Sequence, residues 1–178
     1  MLKRLFFVLL LFPVTNVQAA GFYLSSNDVQ GQISKPQEFN SFGCNGDNTS
    51  PQLKWSNPPA GTKSFAVTVY DPDAPTGSGW WHWTVFNIDN KVTELKTGAS
   101  GTNKMPVGSI ESLTSYGAPG FGGACPPKGD KPHRYIFTVH ALDIEKLDQT
   151  AAAQPELVGY FINSHSLAKA SIMAYYSR

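Results

Sequence analysis

Two short stretches of this 178-residue chain gather residue types that can do chemistry. The first is Asp71-Pro72-Asp73-Ala74-Pro75, which turns through Thr76-Gly77-Ser78-Gly79 into Trp80-Trp81-His82-Trp83. The second runs Gly122-Gly123-Ala124-Cys125-Pro126-Pro127, crosses Lys128-Gly129-Asp130-Lys131-Pro132, and enters His133-Arg134-Tyr135. Each sets a histidine among aromatic rings beside a loop stiffened by proline, which fixes φ and reduces the entropy lost on ordering. A carboxylate neighbour favours the protonated imidazole, which suits an anionic ligand, and a neutral imidazole still donates one hydrogen bond. The set Asp71, His82 and His133 also suits acid–base work or a metal site.

These residues need strands to position them. Phe65–Tyr70, His82–Ile88 and Arg134–His140 are rich in β-branched and aromatic residues and are bounded by turn clusters, so each reads as a strand. Weaker strands are expected at Phe22–Leu24, Val29–Ile33, Glu38–Phe42 and Gln52–Trp55. If the strands on either side of Thr76–Gly79 run antiparallel, Asp71 and His82 meet at one end of the sheet. Simple alternation puts His82 on a face with Thr84 and Phe86, opposite Trp83 and Val85. It also puts His133 and Tyr135 together, with Arg134 on the other side. Pro155 fits the first position of a helix with an apolar stripe of Leu157, Val158, Phe161 and Ile162, ending near His165. A last strand follows at Ile172–Tyr176. The expected fold is mostly β: a sandwich of two antiparallel sheets with one or two short helices near the C-terminus.

Composition narrows the class. With 15% charged residues, a formal charge of +1 and no basic run, the chain lacks the electrostatic footprint of a nucleic-acid binder. Sixteen glycines, 13 prolines and 12% aromatic residues indicate turn-rich packed structure rather than disorder. At the N-terminus, Lys3-Arg4, the apolar run Leu5–Phe12 and Val17-Gln18-Ala19 read as a signal peptide over residues 1–19, removed on export. Its apolar run is too short to span a bilayer and no later segment approaches that length, so no stable membrane insertion is expected. Residues 20–178 are then a single periplasmic β-sandwich domain. Losing Lys3 and Arg4 moves the formal charge from +1 to −1. An oxidising compartment would allow Cys44 and Cys125 to pair.

The two stretches resemble the signature regions of the phosphatidylethanolamine-binding protein family, which includes the Raf kinase inhibitor protein. Gly43-Cys44-Asn45-Gly46-Asp47-Asn48-Thr49-Ser50-Pro51 and the final Tyr176-Ser177-Arg178 are similar to segments of its small bacterial members. The resemblance implies a two-sheet sandwich with a small anion pocket at the strand ends. It assigns that pocket to Asp71, Pro75, Trp80, His82, Pro127, His133 and Tyr135, with a cis peptide at Ala74-Pro75. Phosphate, carboxylate or phospholipid-headgroup oxygens are the implied ligands, with no catalytic residue and no cofactor. Cys125 departs from the glycine common in eukaryotic members. The chain also ends on a strand, where those members carry a helix over the pocket.

The expected function is therefore an exported binding protein for a small anion, with donors from His82, His133 and Tyr135 and with Asp71 orienting a histidine. An inhibitor-like role towards a kinase or protease would add a protein partner, which no residue pattern specifies. The alternative is a hydrolase or metal-dependent enzyme using Asp71, His82 and His133, although no compact ligand spacing such as His-Glu-x-x-His is present. His140, inside a strand, and His165, at a helix end, read as structural.

Overall fold

A computed structural model describes residues 21–178. The signal peptide expected at residues 1–19 lies outside the described residues. Eight strands form two sheets: β1 (Tyr23–Ser25), β2 (Leu53–Ser56), β3 (Ser64–Asp71), β4 (Trp80–Asp89), β5 (Glu94–Leu95), β6 (Ile110–Glu111), β7 (His133–Leu142) and β8 (Ser166–Tyr176), with helix α1 (Pro155–His165) before β8. The three-stranded sheet is ordered β1-β2-β5 and the five-stranded sheet β6-β4-β3-β7-β8. All their strand pairs are antiparallel.

Apolar residues at alternate positions fill the space between the sheets. Leu24, Leu53, Trp55 and Leu95 meet Phe65, Val67, Val69, Trp83, Val85, Phe137 and Val139 in one buried cluster. The outer face of the larger sheet carries a second cluster, in which Ala66, Phe86 and Leu142 pack under Val158 and Ile162 of α1. Pro155 does begin that helix, but its buried face is Pro155, Val158, Gly159 and Ile162, and Leu157 is exposed. Among the described residues no helix is long and apolar enough to cross a membrane.

Several local expectations are corrected. Val29–Ile33 and Glu38–Phe42 are not strands; each contributes one isolated bridge, Gln32 to Tyr175 and Glu38 to Ala124. Between them Lys35–Gln37 winds into a short 3-10 helix with proline near its start, which breaks any continuous ladder. The last strand begins at Ser166, directly after α1, rather than at Ile172. Its first half is Ser, Ala, Leu and Lys, weak strand formers that pairing with β7 holds extended. The Ala74-Pro75 peptide is trans, not cis as the resemblance implied.

Cys44 and Cys125 form a disulfide with their Cα atoms 6.0 Å apart, tying the segment before β2 to the loop that leads into β7. The bridge spans 81 residues, and chain-entropy reasoning assigns a closed loop of that size about 4–5 kcal/mol. The double variant Cys44→Ala, Cys125→Ala should lose stability of that order in chemical denaturation. A loss under about 1 kcal/mol would show that Asn48 and the surrounding hydrogen bonds hold the loop without the bridge.

Candidate functional site

The inner face of the large sheet changes character at one end. β3 buries Phe65, Val67 and Val69 on that face and then places Asp71 there, where Pro72 stops the ladder because it has no N–H to donate. β7 runs antiparallel to β3 and brings His133 and Tyr135 to the same end. β4 supplies Trp80, the register partner of Asp71. The return from β3 into β4 is tight. Gly79 has φ +70°, and a Cβ there would collide with the Tyr70 hydroxyl, so glycine is required.

His82 arrives by a different device. Val69 pairs with Trp83 and Tyr70 with Trp81, leaving His82 as an extra residue in a β-bulge. The bulge turns its ring inward, with its centroid 5.0 Å from that of Tyr135. Uniform alternation had put His82 on the face opposite Trp83; the bulge overrides it. A second strand of contacts then locks the ring. Gly122 N–H donates to the His82 carbonyl at 2.8 Å, and His82 Nδ1 lies 2.7 Å from the Gly122 carbonyl oxygen. A carbonyl can only accept, so Nδ1 carries the hydrogen. Gly122 is itself restricted, because a Cβ would overlap the Tyr116 ring. Asn48, in the left-handed region at φ 51°, holds the loop by accepting from Gly123 N–H at 2.7 Å and donating to the Phe121 carbonyl at 3.2 Å.

The acids pair in two registers. On the inner face Asp71 Oδ2 lies 2.7 Å from His133 Nδ1, while its Oδ1 accepts from the Asp73 backbone N–H at 2.8 Å. On the outer face Asp73 takes a forked pair of hydrogen bonds from Arg134 at 2.8 and 2.9 Å. Those bonds hold the Asp73 carboxyl well below the usual carboxylate range. His133 Nε2 faces Asp130 Oδ2 at 3.2 Å, so both of its nitrogens meet carboxylates. Burial opposes charge on His133, but the bonds to Asp71 and Asp130 outweigh it and raise the imidazole above its ordinary value. His82 moves the other way. Burial pushes it down to about 4, so that ring is neutral near pH 7. The Tyr135 phenol is raised by burial and by the Asp71 charge, and keeps its hydrogen.

Asp71, Pro75, Trp80, His82, Pro127, His133 and Tyr135, the residues singled out from the sequence, all line one cavity of about 170 Å³. Phe42, Tyr116 and the disulfide sulfur residue Cys125 also line it, and sequence reasoning had not placed Phe42 or Tyr116 there. Tyr116 sits in the long Gly- and Pro-rich segment, whose length signals function but whose lack of periodicity names no residue. Among the described residues, six buried side-chain polar atoms have no hydrogen-bond partner, and Trp80 Nε1, His82 Nε2 and Tyr135 Oη belong to this cavity. The donor roles expected for both histidines change accordingly: His133 directs its N–H groups at carboxylates, and His82 presents a lone pair. No group of three or more His, Cys, Asp or Glu among the described residues is arranged to hold a metal ion. His140 instead bonds Thr68 Oγ1 at 3.1 Å, and His165 pairs with Asp143 at 2.9 Å.

The Asp71–His133 pair makes a pH-dependent contribution to stability. Unfolded, an imidazole titrates near 6.5, and the folded value is higher. The contribution is thus fully present below about pH 6.5 and fades as pH rises through the folded value. The side chains are 1% and 4% exposed. Asp71→Asn should cost about 3 kcal/mol at pH 6, the low end for a broken buried pair because Asp130 remains. The cost should shrink at pH 9; an equal loss at both, by chemical denaturation, contradicts a charged His133.

The family model for phosphatidylethanolamine-binding protein matches residues 26–177. The UPF0098 protein YbcL of Escherichia coli strain K12 is 52% identical over 172 residues, 94% of this chain and 93% of YbcL. YbhB of the same strain is 52% identical over 157 residues, 86% of this chain and 99% of YbhB. The crystal structure of E. coli YbcL, described as a new member of the mammalian family, matches with a TM-score of 0.87 and 51% identity, covering 89% of this chain and 99% of that one. A phosphatidylethanolamine-binding protein homologue from Chlamydia trachomatis matches with a TM-score of 0.73 and 29% identity, covering 88% and 97%. A two-sheet sandwich, the paired strand-end loops and a match along nearly the whole described chain make this protein a member of the phosphatidylethanolamine-binding protein family.

Proposed function

We propose that this protein binds a small anion, of phosphate, carboxylate or headgroup type, in the cavity at the strand ends. The observation that carries the reading is the convergence of three unpartnered polar atoms, Trp80 Nε1, His82 Nε2 and Tyr135 Oη, on one cavity. A buried polar group without a partner costs about 1–3 kcal/mol, and native proteins keep few of them. Three in one small space are compensated when a ligand meets them. Two of the three, the indole N–H and the phenol, are donors aimed at an acceptor-rich group.

Attraction in this reading is local. The charge of His133 is balanced by Asp71 and Asp130, so the anion is held by oriented neutral donors in a cavity lined largely by aromatic and proline side chains, where hydrogen bonds are stronger than in water. His133 has both nitrogens engaged by carboxylates, which gives it a positioning role in this reading. The pattern of the first 19 residues supports export to the periplasm, where the disulfide would persist. An inhibitor-like role towards a partner protein is compatible with the family but is carried by no specific contact.

Calorimetry of phosphate, acetate and phosphoethanolamine separates a binding role from a structural one. Tyr135→Phe removes an unpartnered buried hydroxyl, so it should leave stability unchanged or raised while weakening phosphate binding about 5- to 10-fold. His82→Ala and His133→Ala should weaken binding further. Equal, weak binding by wild type and all three variants would overturn the assignment.

A further inference from the structure

We propose that Phe42 is a specificity-determining residue of the cavity, an aromatic shelf at its mouth that takes a flat apolar group carried by a carboxylate ligand. The proposal rests on the anion-binding reading above and concerns the part of the ligand beyond its charged head. It begins from the backbone. Ser41-Phe42-Gly43-Cys44 is a tight turn closed by the Cys44 N–H, which donates to the Ser41 carbonyl at 2.9 Å. Both central residues have positive φ, 54° at Phe42 and 79° at Gly43, the pattern of a type I′ turn. Asparagine and glycine suit the first central position, whereas a bulky aromatic residue there is strained.

Burial does not offset that strain, because Phe42 is 66% exposed. The surroundings enforce it instead. Cys44 is tied to Cys125 by the disulfide, and the Gly43 carbonyl accepts from Arg178 Nη1 at 2.7 Å. The same guanidinium donates from Nε to the Pro126 carbonyl at 2.6 Å, so Arg178 joins the two segments that the disulfide joins. A covalent clasp and a charged hydrogen-bonded clasp together hold an exposed, strained ring where it lines the cavity. Enforced backbone strain of this kind clusters at ligand sites.

The ring has aromatic company. Phe42 lies 5.5 Å from Tyr116 between centroids and meets Phe39 edge-on at 5.7 Å, while Trp80 meets Tyr116 edge-on at 5.2 Å. Phe42, Tyr116, Pro75 and Pro127 thus give the cavity an apolar lining beside the open donors Trp80 Nε1 and Tyr135 Oη. Its volume of about 170 Å³ leaves room beyond a carboxylate head, since a cavity of about 150 Å³ takes benzene. A carboxylate bearing an aryl ring uses both parts of the lining, the oxygens on the donors and the ring against Phe42. Because Phe42 lines the cavity rather than an isolated surface patch, a ligand is favoured as its partner over a second copy of the chain.

The test is calorimetry of acetate and phenylacetate on the disulfide-intact protein near pH 7, with inorganic phosphate as the reference anion. Wild type should bind phenylacetate at least about tenfold more tightly than acetate, the gain from burying one ring among aromatic neighbours. Phe42→Asn should erase that preference and leave acetate affinity within about twofold of wild type. Asparagine tolerates positive φ, so the same variant should unfold at an equal or higher urea concentration than wild type. If it does not fold, Phe42→Gly, which carries no penalty at positive φ, reads the same two affinities. Equal binding of the two carboxylates by wild type, or phosphate binding with neither carboxylate bound, overturns the proposal and leaves the anion reading standing. A phenylacetate preference that survives the substitution does the same, and a lower sedimentation coefficient in that variant would assign the ring to a contact between copies. A urea midpoint below wild type makes the ring structural and also overturns the proposal. No binding of acetate, phenylacetate or phosphate overturns both readings.

Discussion

The hydrogen bond between Asp71 and His133, 2.7 Å long and buried at the end of the inner sheet face, is the constraint on which the site depends. It joins the last residue of β3 to the first of β7. Asp71 also accepts from the Asp73 backbone, so the turn that leads towards β4 is fixed by the same carboxylate. Asp73, two residues beyond Asp71, and Arg134, the residue after His133, repeat the join on the opposite face of the sheet. Inner and outer pairs together clamp the proline-rich loop to the strand beside it. The cavity wall formed by Ala74, Pro75 and Trp80 is then a consequence of strand register rather than of loop packing alone.

The pair also determines the electrostatics. By taking up the charge of His133, it leaves a cavity whose open groups are neutral, with His82 as the acceptor among them. That distribution explains how a chain with little net charge could hold an anion: selectivity would come from the direction of a few hydrogen bonds. The disulfide, the Asn48 clamp and the Gly122 contacts complete the opposite wall and fix the His82 tautomer. All three act on the loop from Phe121 to Cys125, two from the segment that carries Cys44 and Asn48 and one from His82 of β4.

Much of this was legible in the sequence. β-Branched runs marked β3, β4 and β7, and alternation placed His133 and Tyr135 together with Arg134 turned away, as the strand delivers them. The cavity-lining set followed from the resemblance of two ordered motifs. What alternation missed was the bulge, because an extra residue in one strand is defined by its partner's register and not by its own side chains. Residue types alone suggested two donor imidazoles. The actual roles depend on which atoms each ring meets: a carbonyl of Gly122 for one, two carboxylates for the other. Gly122 and Asp130 are distant from those histidines in role, though not all in sequence, and neither carries a signal that announces the contact. Val29–Ile33 and Glu38–Phe42 are not strands for a related reason: only Gln32 and Glu38 find a bridge partner in the backbone, where Tyr175 of β8 and the Ala124 loop meet them.

The central claim is that the two pocket histidines have opposite charge states, each imposed by its neighbours. Nitrogen-15 NMR of the imidazole side chains in the ligand-free protein reads this directly. At pH 6, His133 should show two protonated nitrogens, and His82 should show a protonated Nδ1 with a bare Nε2 that persists down to about pH 4. A neutral His133 at pH 6, or a His82 protonated on Nε2, would contradict the account.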